Sequence, residues 1–237
     1  MHDNHGFLWF HQIPFLAGLP IHVVSALFVG VMLIAVTWIA RLQLKRSMQS
    51  VDGGLVPAPR WTFLNFFEIM AEKLYSFAEG ILGEHQTKRF YPFIGSLFLF
   101  IFISNLLGLL PGFRPPTDDL NTTVALGTIV FVYYNYLGFK ENGMAYLKHF
   151  MGPVWWIAPM IFLIEVISHF VRPISLGLRL RGNIFGDHMV LSVFSELTPY
   201  IVPTIFYGLG AFVCFIQAFV FTILTMVYIS LSTAHDH

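Results

Sequence analysis

The segment at residues 153–194 constrains the fold most strongly, because it is almost wholly apolar and still carries several ionisable side chains. As a single helix it would be about 63 Å long, whereas a bilayer core is roughly 30 Å thick. An ionised group at membrane depth costs about 2.5–3.5 kcal/mol even on lenient insertion scales, so such groups are expected to have a function. The charged part of the segment, at 165–188, reads EVISHFVRPISLGLRLRGNIFGDH.

The composition indicates an integral membrane protein. Apolar residues make up 56% of the 237-residue chain and charged residues 11%, whereas about a quarter of the residues in a soluble domain are charged. The formal net charge is zero, which argues against binding to nucleic acid. A single cysteine, Cys214, leaves no disulfide framework, and the histidines show no metal-ligand spacing. We therefore expect an all-α polytopic membrane protein without a cofactor or a metal site.

Apolar runs that are long enough to cross a bilayer predict about five transmembrane helices. They lie at about 22–40, 90–110, 121–139, 153–194 and 203–232. Residues 61–88 place apolar side chains three and four apart with glutamates off that stripe, which predicts one amphipathic helix. This helix lies flat at the membrane interface, covers another protein or packs within the chain, and packing is the favoured interpretation. The last two runs predict a long antiparallel hairpin, whose length requires tilt, a protruding end or a break, with Pro173 and Gly177 as possible bends.

We predict a single membrane domain over residues 1–237. Its parts are an N-terminal span and cytoplasmic loop at 1–60, the amphipathic helix at 61–88, two spans at 89–152 and the hairpin at 153–237. In this five-span arrangement the basic residues outside the hairpin fall almost entirely on one side, with only Arg114 on the other. Those on the common side are Arg41, Lys45, Arg46, Arg60, Lys73, Lys88, Arg89, Lys140 and Lys148. This bias predicts an outer N-terminus and a cytoplasmic C-terminus.

Several ionisable side chains share one face of the long helix in the hairpin. At about 100° per residue, Glu165, Arg172 and Arg179 are seven residues apart and lie on the same side. Asn183 follows Arg179 by one turn on that side. The guanidinium of Arg179 keeps its charge in any protein environment. The stripe therefore resembles two polar routes separated by a charge that protons cannot cross.

Other polar residues lie off this stripe or on the neighbouring helix. Asp187 falls at the edge of the stripe, His188 is turned away from it, and Arg181 points nearly opposite. Gln217, in the last apolar run, reaches the Arg179–Asn183 region in some registers of the hairpin, and the sequence does not fix that register. Structural alternatives stay open: interhelical hydrogen bonding for Gln217 and headgroup contact for Arg181.

Structural alternatives also stay open within the stripe and near it. Glu165 and Arg172 are as well explained by mutual neutralisation as by a role in transport. His169 is better explained as a packing or interface residue, and Asn105 as a residue that forms hydrogen bonds between helices. Function is favoured most clearly for Arg179 together with Asn183, because both lie in the middle of the run.

Three stretches resemble subunit a of the F-type rotary ATP synthases. They are PISLGLRLRGNIFGDH at 173–188, IQAFVFTILTMVYISL at 216–231 and SNLLGLLPG at 104–112. The likeness extends from about residue 60 to the C-terminus. It implies a non-catalytic channel subunit of the bacterial inner membrane, without a nucleotide site, that contacts the lipid bilayer, c-ring subunits and peripheral-stalk b subunits within a large hetero-oligomeric complex.

The resemblance also implies roles for individual residues. In the family, two offset half-channels carry protons to and from a rotating c-ring, and the hairpin lies against that ring. The essential arginine falls on Arg179 and the inner-channel acid on Glu165, while Arg172 occupies a position that is often basic. The outer-channel polar positions fall on Asn183, His188 and Gln217.

The chain departs from the family pattern at two positions. Arg181 stands where an aromatic or apolar residue is common. Gly210 stands where some members carry a titratable residue paired with the one at 188. Because Asp187 adjoins His188, the outer proton relay is expected to rest on these two neighbours instead.

Two other classes of function stay open from the residues themselves. One is a secondary transporter that binds an anionic substrate at Arg179, although the sequence shows no internal repeat. The other is a structural membrane scaffold. Recovery of a ring partner with the chain favours the channel subunit, substrate-dependent uptake by the chain alone favours the transporter, and normal coupling without Arg179 favours the scaffold.

The predicted orientation can be tested by labelling both ends of the chain in sealed cells. We expect a membrane-impermeant reagent to reach an N-terminal tag from outside and a C-terminal tag only after permeabilisation, because the basic side should face the cytoplasm. A C-terminal tag that reacts in intact cells contradicts the five-span arrangement.

Overall fold

The computed structural model describes residues 18–48, 63–110, 112–143, 146, 156–197 and 201–233, and all regular structure within them is helical. The elements are α1 (Ile21–Met48), α2 (Phe63–Leu82), α3 (Glu84–Leu107), a 3₁₀ turn (Pro116–Asp118), α4 (Leu120–Asn142), α5 (Ala158–Leu197) and α6 (Ile201–Thr233). Within this part of the chain, five helices are long and apolar enough to cross a membrane. The prediction of an all-α polytopic protein is therefore confirmed.

Some predicted features fall outside the described residues. They include both ends of the chain at 1–17 and 234–237, most of the predicted cytoplasmic loop, and the basic residues Arg60 and Lys148. The link at 198–200 between the two hairpin helices also lies outside, although α5 and α6 pack against each other.

The boundary between the amphipathic helix and the next span differs from the prediction. The helix was expected to continue to Lys88, but α2 ends at Leu82 and α3 begins at Glu84. Gly83 separates them with a φ of 79°, which glycine adopts without the strain that a side chain would bring. The apolar spacing continues across Gly83, so the pattern alone does not reveal the break. Glu84 instead forms an ion pair of 2.7 Å with Lys88 in the first turns of α3.

Helix α2 packs within the chain through its apolar side. Leu74, Ala78 and Leu82 are buried, and α2 contacts both α3 and α6. The Phe77 and Phe219 rings lie 4.9 Å apart between α2 and α6. Its glutamates at 68, 72 and 79 are exposed. Of the three roles considered for this helix, the contacts therefore support the favoured one, packing within the chain.

The core lies among α2, α3, α4 and α6, and α5 contributes one side only. From α5, Leu176, Leu180 and Ile184 are buried in this core. Large apolar side chains on the rest of its surface are more than two-fifths exposed: Leu163, Phe170, Ile174, Leu178 and Phe185. The outward surface of α5 is thus apolar, as expected for a helix that meets lipid or another membrane subunit.

Helix α5 is continuous through both residues at which a bend was predicted. Pro173 and Gly177 form the close crossing between α5 and α4. A Cβ atom on Gly127 of α4 would clash with the Pro173 carbonyl oxygen, and one on Gly177 would lie 3.0 Å from the Thr123 carbonyl oxygen. Small residues at such positions allow two helix backbones to approach closely within a membrane. With 40 residues, α5 is about 60 Å long, so it is tilted or protrudes from the bilayer.

The crossing predicts a large effect from a small substitution. We expect Gly127→Ala to destabilise the protein by about 1–3 kcal/mol, because the new methyl group must displace the Pro173 backbone. The measurement is the thermal denaturation midpoint of the purified complex in detergent. Gly30→Ala in α1 is the matched control, because its Cβ meets no heavy atom within 4 Å in the described part of the chain. Equal midpoints for the two variants would contradict the crossing.

Candidate functional site

The polar stripe of α5 follows the boundary between its buried and its exposed surface. Arg179 and Asn183 are exposed, whereas Leu180 and Ile184, one position further on, are buried in the core. Arg179 has no carboxylate within ion-pair distance among the described residues. A permanent positive charge therefore lies on the outward apolar surface of α5, and the described chain provides no counter-charge for it.

Asn183 connects this stripe to the last helix. Its Nδ2 donates a hydrogen bond to Gln217 Oε1 of α6, and Gln217 is only 3% exposed. The hydrogen bond sets the register of the hairpin, which the sequence left open. It places the buried amide of Gln217 beside the helical turn that contains Arg179.

Asp187 lies further towards the C-terminal end of α5, beside a cavity of about 220 Å³. Leu109 and Gly210 also line this cavity. A Cβ atom on Gly210 would lie 2.9 Å from the Leu109 Cδ2 atom, so Leu109 occupies the space next to this glycine. The backbone of His188 belongs to α5, but its side chain lies outside the part that the structure describes.

Glu165 and Arg172 form an ion pair of 3.4 Å on the other side of Arg179. The Arg172 guanidinium also lies over the Tyr228 ring, 5.2 Å from its centroid. The pair borders a cavity of about 180 Å³ that opens between α4, α5 and α6. The Glu165 side chain is 39% exposed. Glu165 and Arg172 therefore neutralise each other and at the same time border a polar cavity.

Arg181 binds the short loop between α3 and α4. Its Nε donates a hydrogen bond of 3.2 Å to the Asp118 carbonyl oxygen, and the Asp118 carboxylate accepts one of 2.9 Å from Arg114. In the same loop, Thr117 donates to the buried Asn105 side chain at 2.8 Å. The extra charge at Arg181, which the family pattern did not explain, thus has a structural partner, and Asn105 has the hydrogen-bonding role that the sequence favoured.

Helix α4 also contributes to the cavity beside Glu165 and Arg172, which the sequence did not predict. Tyr134 lines that cavity, as does Tyr146 just beyond the helix, and Asn135 hydrogen-bonds to a side chain that lines it. These residues belong to no recognisable motif. The available signal was a run of polar and aromatic residues in the least apolar of the predicted spans.

The fold and the stripe define a polytopic all-α membrane protein with charged residues inside its longest span. The family model described as ATP synthase A chain matches residues 23–230. An ATP synthase subunit a from Bdellovibrio bacteriovorus is 45% identical over 228 residues, which cover 96% of this chain and 94% of the relative. One from Geobacter sulfurreducens is 43% identical, with 91% and 93% covered, and one from Trichlorobacter lovleyi is 49% identical, with 72% and 75% covered.

The chain therefore belongs to the ATP synthase subunit a family. It is a multi-pass bacterial membrane protein and a component of a multi-subunit complex, and its family functions in proton transport for ATP synthesis.

Proposed function

We propose that this chain passes protons between two offset half-channels and a rotating c-ring, and that Arg179 separates the two routes. The observation that carries the proposal is the exposed Arg179, which has no counter-charge among the described residues and lies on an apolar surface. On α5 it stands about 21 Å from Glu165 in one direction and about 12 Å from Asp187 in the other. Cavities border these two carboxylates.

The missing counter-charge is a carboxylate on the ring. When such a carboxylate enters the interface from one route, it has to lose its proton before it passes to the other. An unpaired carboxylate in lipid is costly, and a nearby fixed cation lowers that cost by favouring the charged form. The same cation repels protons and prevents direct leakage between the routes. Water in the half-channels weakens the attraction, so the pair forms transiently and the ring keeps turning.

The outer route consists of Asn183, Gln217, Asp187 and His188. The Asn183–Gln217 hydrogen bond lies next to Arg179, and Asp187 borders a cavity further along α5. Asp187 supplies a titratable carboxyl group beside Gly210, where the chain lacks a titratable side chain. In this proposal His188, whose imidazole can both take up and release a proton, exchanges protons with the outer solution.

The inner route begins at Glu165, whose partly exposed carboxylate borders the inner cavity. Arg172 neutralises this carboxylate between proton transfers and is held over Tyr228. In this arrangement the ion pair is both a structural contact and the entrance of the route.

The chain is a non-catalytic stator subunit in this proposal, and ATP is made elsewhere in the complex. The outward apolar surface of α5 fits a ring of apolar helices, and its remaining neighbours are the lipid bilayer and the peripheral-stalk b subunits. The N-terminus lies outside the bacterial inner membrane and the C-terminus lies in the cytoplasm, in accordance with the distribution of basic residues.

Substitution of Arg179 tests the proposal. We expect Arg179→Ala to assemble, to lose ATP-driven acidification almost completely, and to leak protons passively, because the barrier between the routes is gone. Arg179→Lys should also fail to couple, since a compact ammonium loses its proton when desolvated and lacks the planar fork. The measurements are ATP-driven acidification and passive proton flux in membrane vesicles that contain the mutant complex.

Arg181→Ala is the matched control for this experiment. It removes the same side chain two residues away, but that guanidinium binds the Asp118 carbonyl oxygen. We expect this variant to retain coupled pumping. Pumping by Arg179→Ala near the wild-type rate would refute the mechanism.

Glu165→Gln tests the inner route separately. The substitution keeps the shape of the side chain and its contact with Arg172 but removes the titratable group. We expect slower proton passage, by about tenfold or more, in complexes that assemble in normal amounts. Lost assembly combined with a normal rate in the remaining complexes would show that Glu165 serves only as the partner of Arg172.

A further inference from the structure

His169 is a buried titratable residue to which the proposed function assigns no role. It lies one turn from Glu165 on α5, on the side towards Arg179, and is 6% exposed. Its ring packs between Phe131 and Tyr134 of α4, with centroid distances of 4.9 and 5.3 Å. Its Nε2 lies 2.8 Å from Asn135 Oδ1.

Asn135 determines which imidazole nitrogen carries the proton. Its Nδ2 donates to the Phe131 carbonyl oxygen at 2.7 Å, so its Oδ1 is the atom that faces His169. The Tyr146 hydroxyl donates to the same oxygen at 3.2 Å. An amide oxygen only accepts hydrogen bonds, so Nε2 must be the donor. In neutral His169 the nitrogen that takes up a proton is therefore Nδ1.

His169 lines the cavity that also borders Glu165. At about 180 Å³ the cavity has room for several waters, because one water takes about 30 Å³ of liquid volume. The buried Tyr134 hydroxyl at its wall makes no hydrogen bond with the described residues, which is a typical position for a bound water. The ionisable groups that face the cavity besides His169 are Glu165, Arg172, Tyr134, Tyr146 and Tyr228.

We propose that His169 exchanges protons between Glu165 and the deeper part of the inner route, and this rests on the proposed function of the chain. Protonated Glu165 releases its proton, which reaches His169 Nδ1 through cavity water. Glu165 is then a carboxylate and His169 an imidazolium. The resulting imidazolium releases a proton from Nδ1 to water on the ring side and returns to its starting form. The Nε2 proton stays in place because Asn135 cannot accept it. The reverse sequence carries protons towards the cytoplasm.

The test measures ATP-driven proton pumping as a function of pH in inverted vesicles that contain the whole complex. In these vesicles the external medium contacts the inner route, so a rise in its pH removes protonated His169. His169→Gln keeps an N–H donor for Asn135 but does not titrate. We expect its pumping rate near neutral pH to be about threefold or more below that of wild type. The alkaline limb of its pH profile, where the rate falls as pH rises, should also differ from that of wild type. His85→Gln, which changes an exposed histidine at the start of α3, is the matched control.

A second pair of variants distinguishes titration from packing. Asn135→Asp places a carboxylate beside the imidazole and stabilises its charged form, so the alkaline limb should move to higher pH. Asn135→Leu, which is similar in size and uncharged, should not produce that shift. The shift should also disappear when Asn135→Asp is combined with His169→Gln. If His169→Gln does not assemble, the two single Asn135 variants decide the same question.

The proposal is overturned if His169→Gln matches the His85→Gln control at every pH, or if Asn135→Asp produces no alkaline shift or the same shift without His169. The pumping of Arg179→Ala is measured in the same experiment. Wild-type pumping by Arg179→Ala overturns the proposed function itself, whereas its loss, together with normal His169→Gln behaviour, overturns only the role of His169.

Discussion

The cost of holding a permanent charge in an apolar environment is the constraint on which this structure depends. Arg179 cannot lose its proton, and the described chain gives it no carboxylate. In surroundings of low dielectric constant, such a charge raises the free energy of the protein when it has no partner. The same surroundings make its attraction to a nearby opposite charge strong. The chain therefore has to present Arg179 at a surface where water or a partner's carboxylate can reach it.

The contacts around α5 hold that surface in place. The glycine-rich crossing holds α5 against α4 through close backbone approach at Pro173 and Gly177. Arg181 attaches the neighbouring turn to the loop before α4, and Asn183 attaches the next turn to Gln217 of α6. None of these contacts brings a carboxylate to Arg179, so they position the helix around the arginine without neutralising its charge.

The other polar groups near the stripe have partners within the chain. Arg172 has both a carboxylate and an aromatic ring as partners, and the histidine one turn from Glu165 has an amide. Satisfied groups of this kind can lie inside a helix bundle at moderate cost. Arg172 has a carboxylate partner within the chain, whereas Arg179, seven residues further on the same face, has none among the described residues. This contrast is the reason why our proposal gives only Arg179 a partner outside the chain.

The sequence by itself determined the class of fold, the number of spans and the order of the polar groups along α5. Hydrophobic runs and helical spacing are local properties, so residues such as Glu165, Arg172 and Arg179 could be assigned to one face without any tertiary information. The break at Gly83 escaped prediction because the apolar pattern continues through it. Tertiary structure alone decided the register of the hairpin, the partner of Arg181 and the contribution of Asn135 to the inner cavity. Each of these depends on contacts between residues 34 to 63 positions apart, and such contacts follow from how helices pack, which no local pattern specifies.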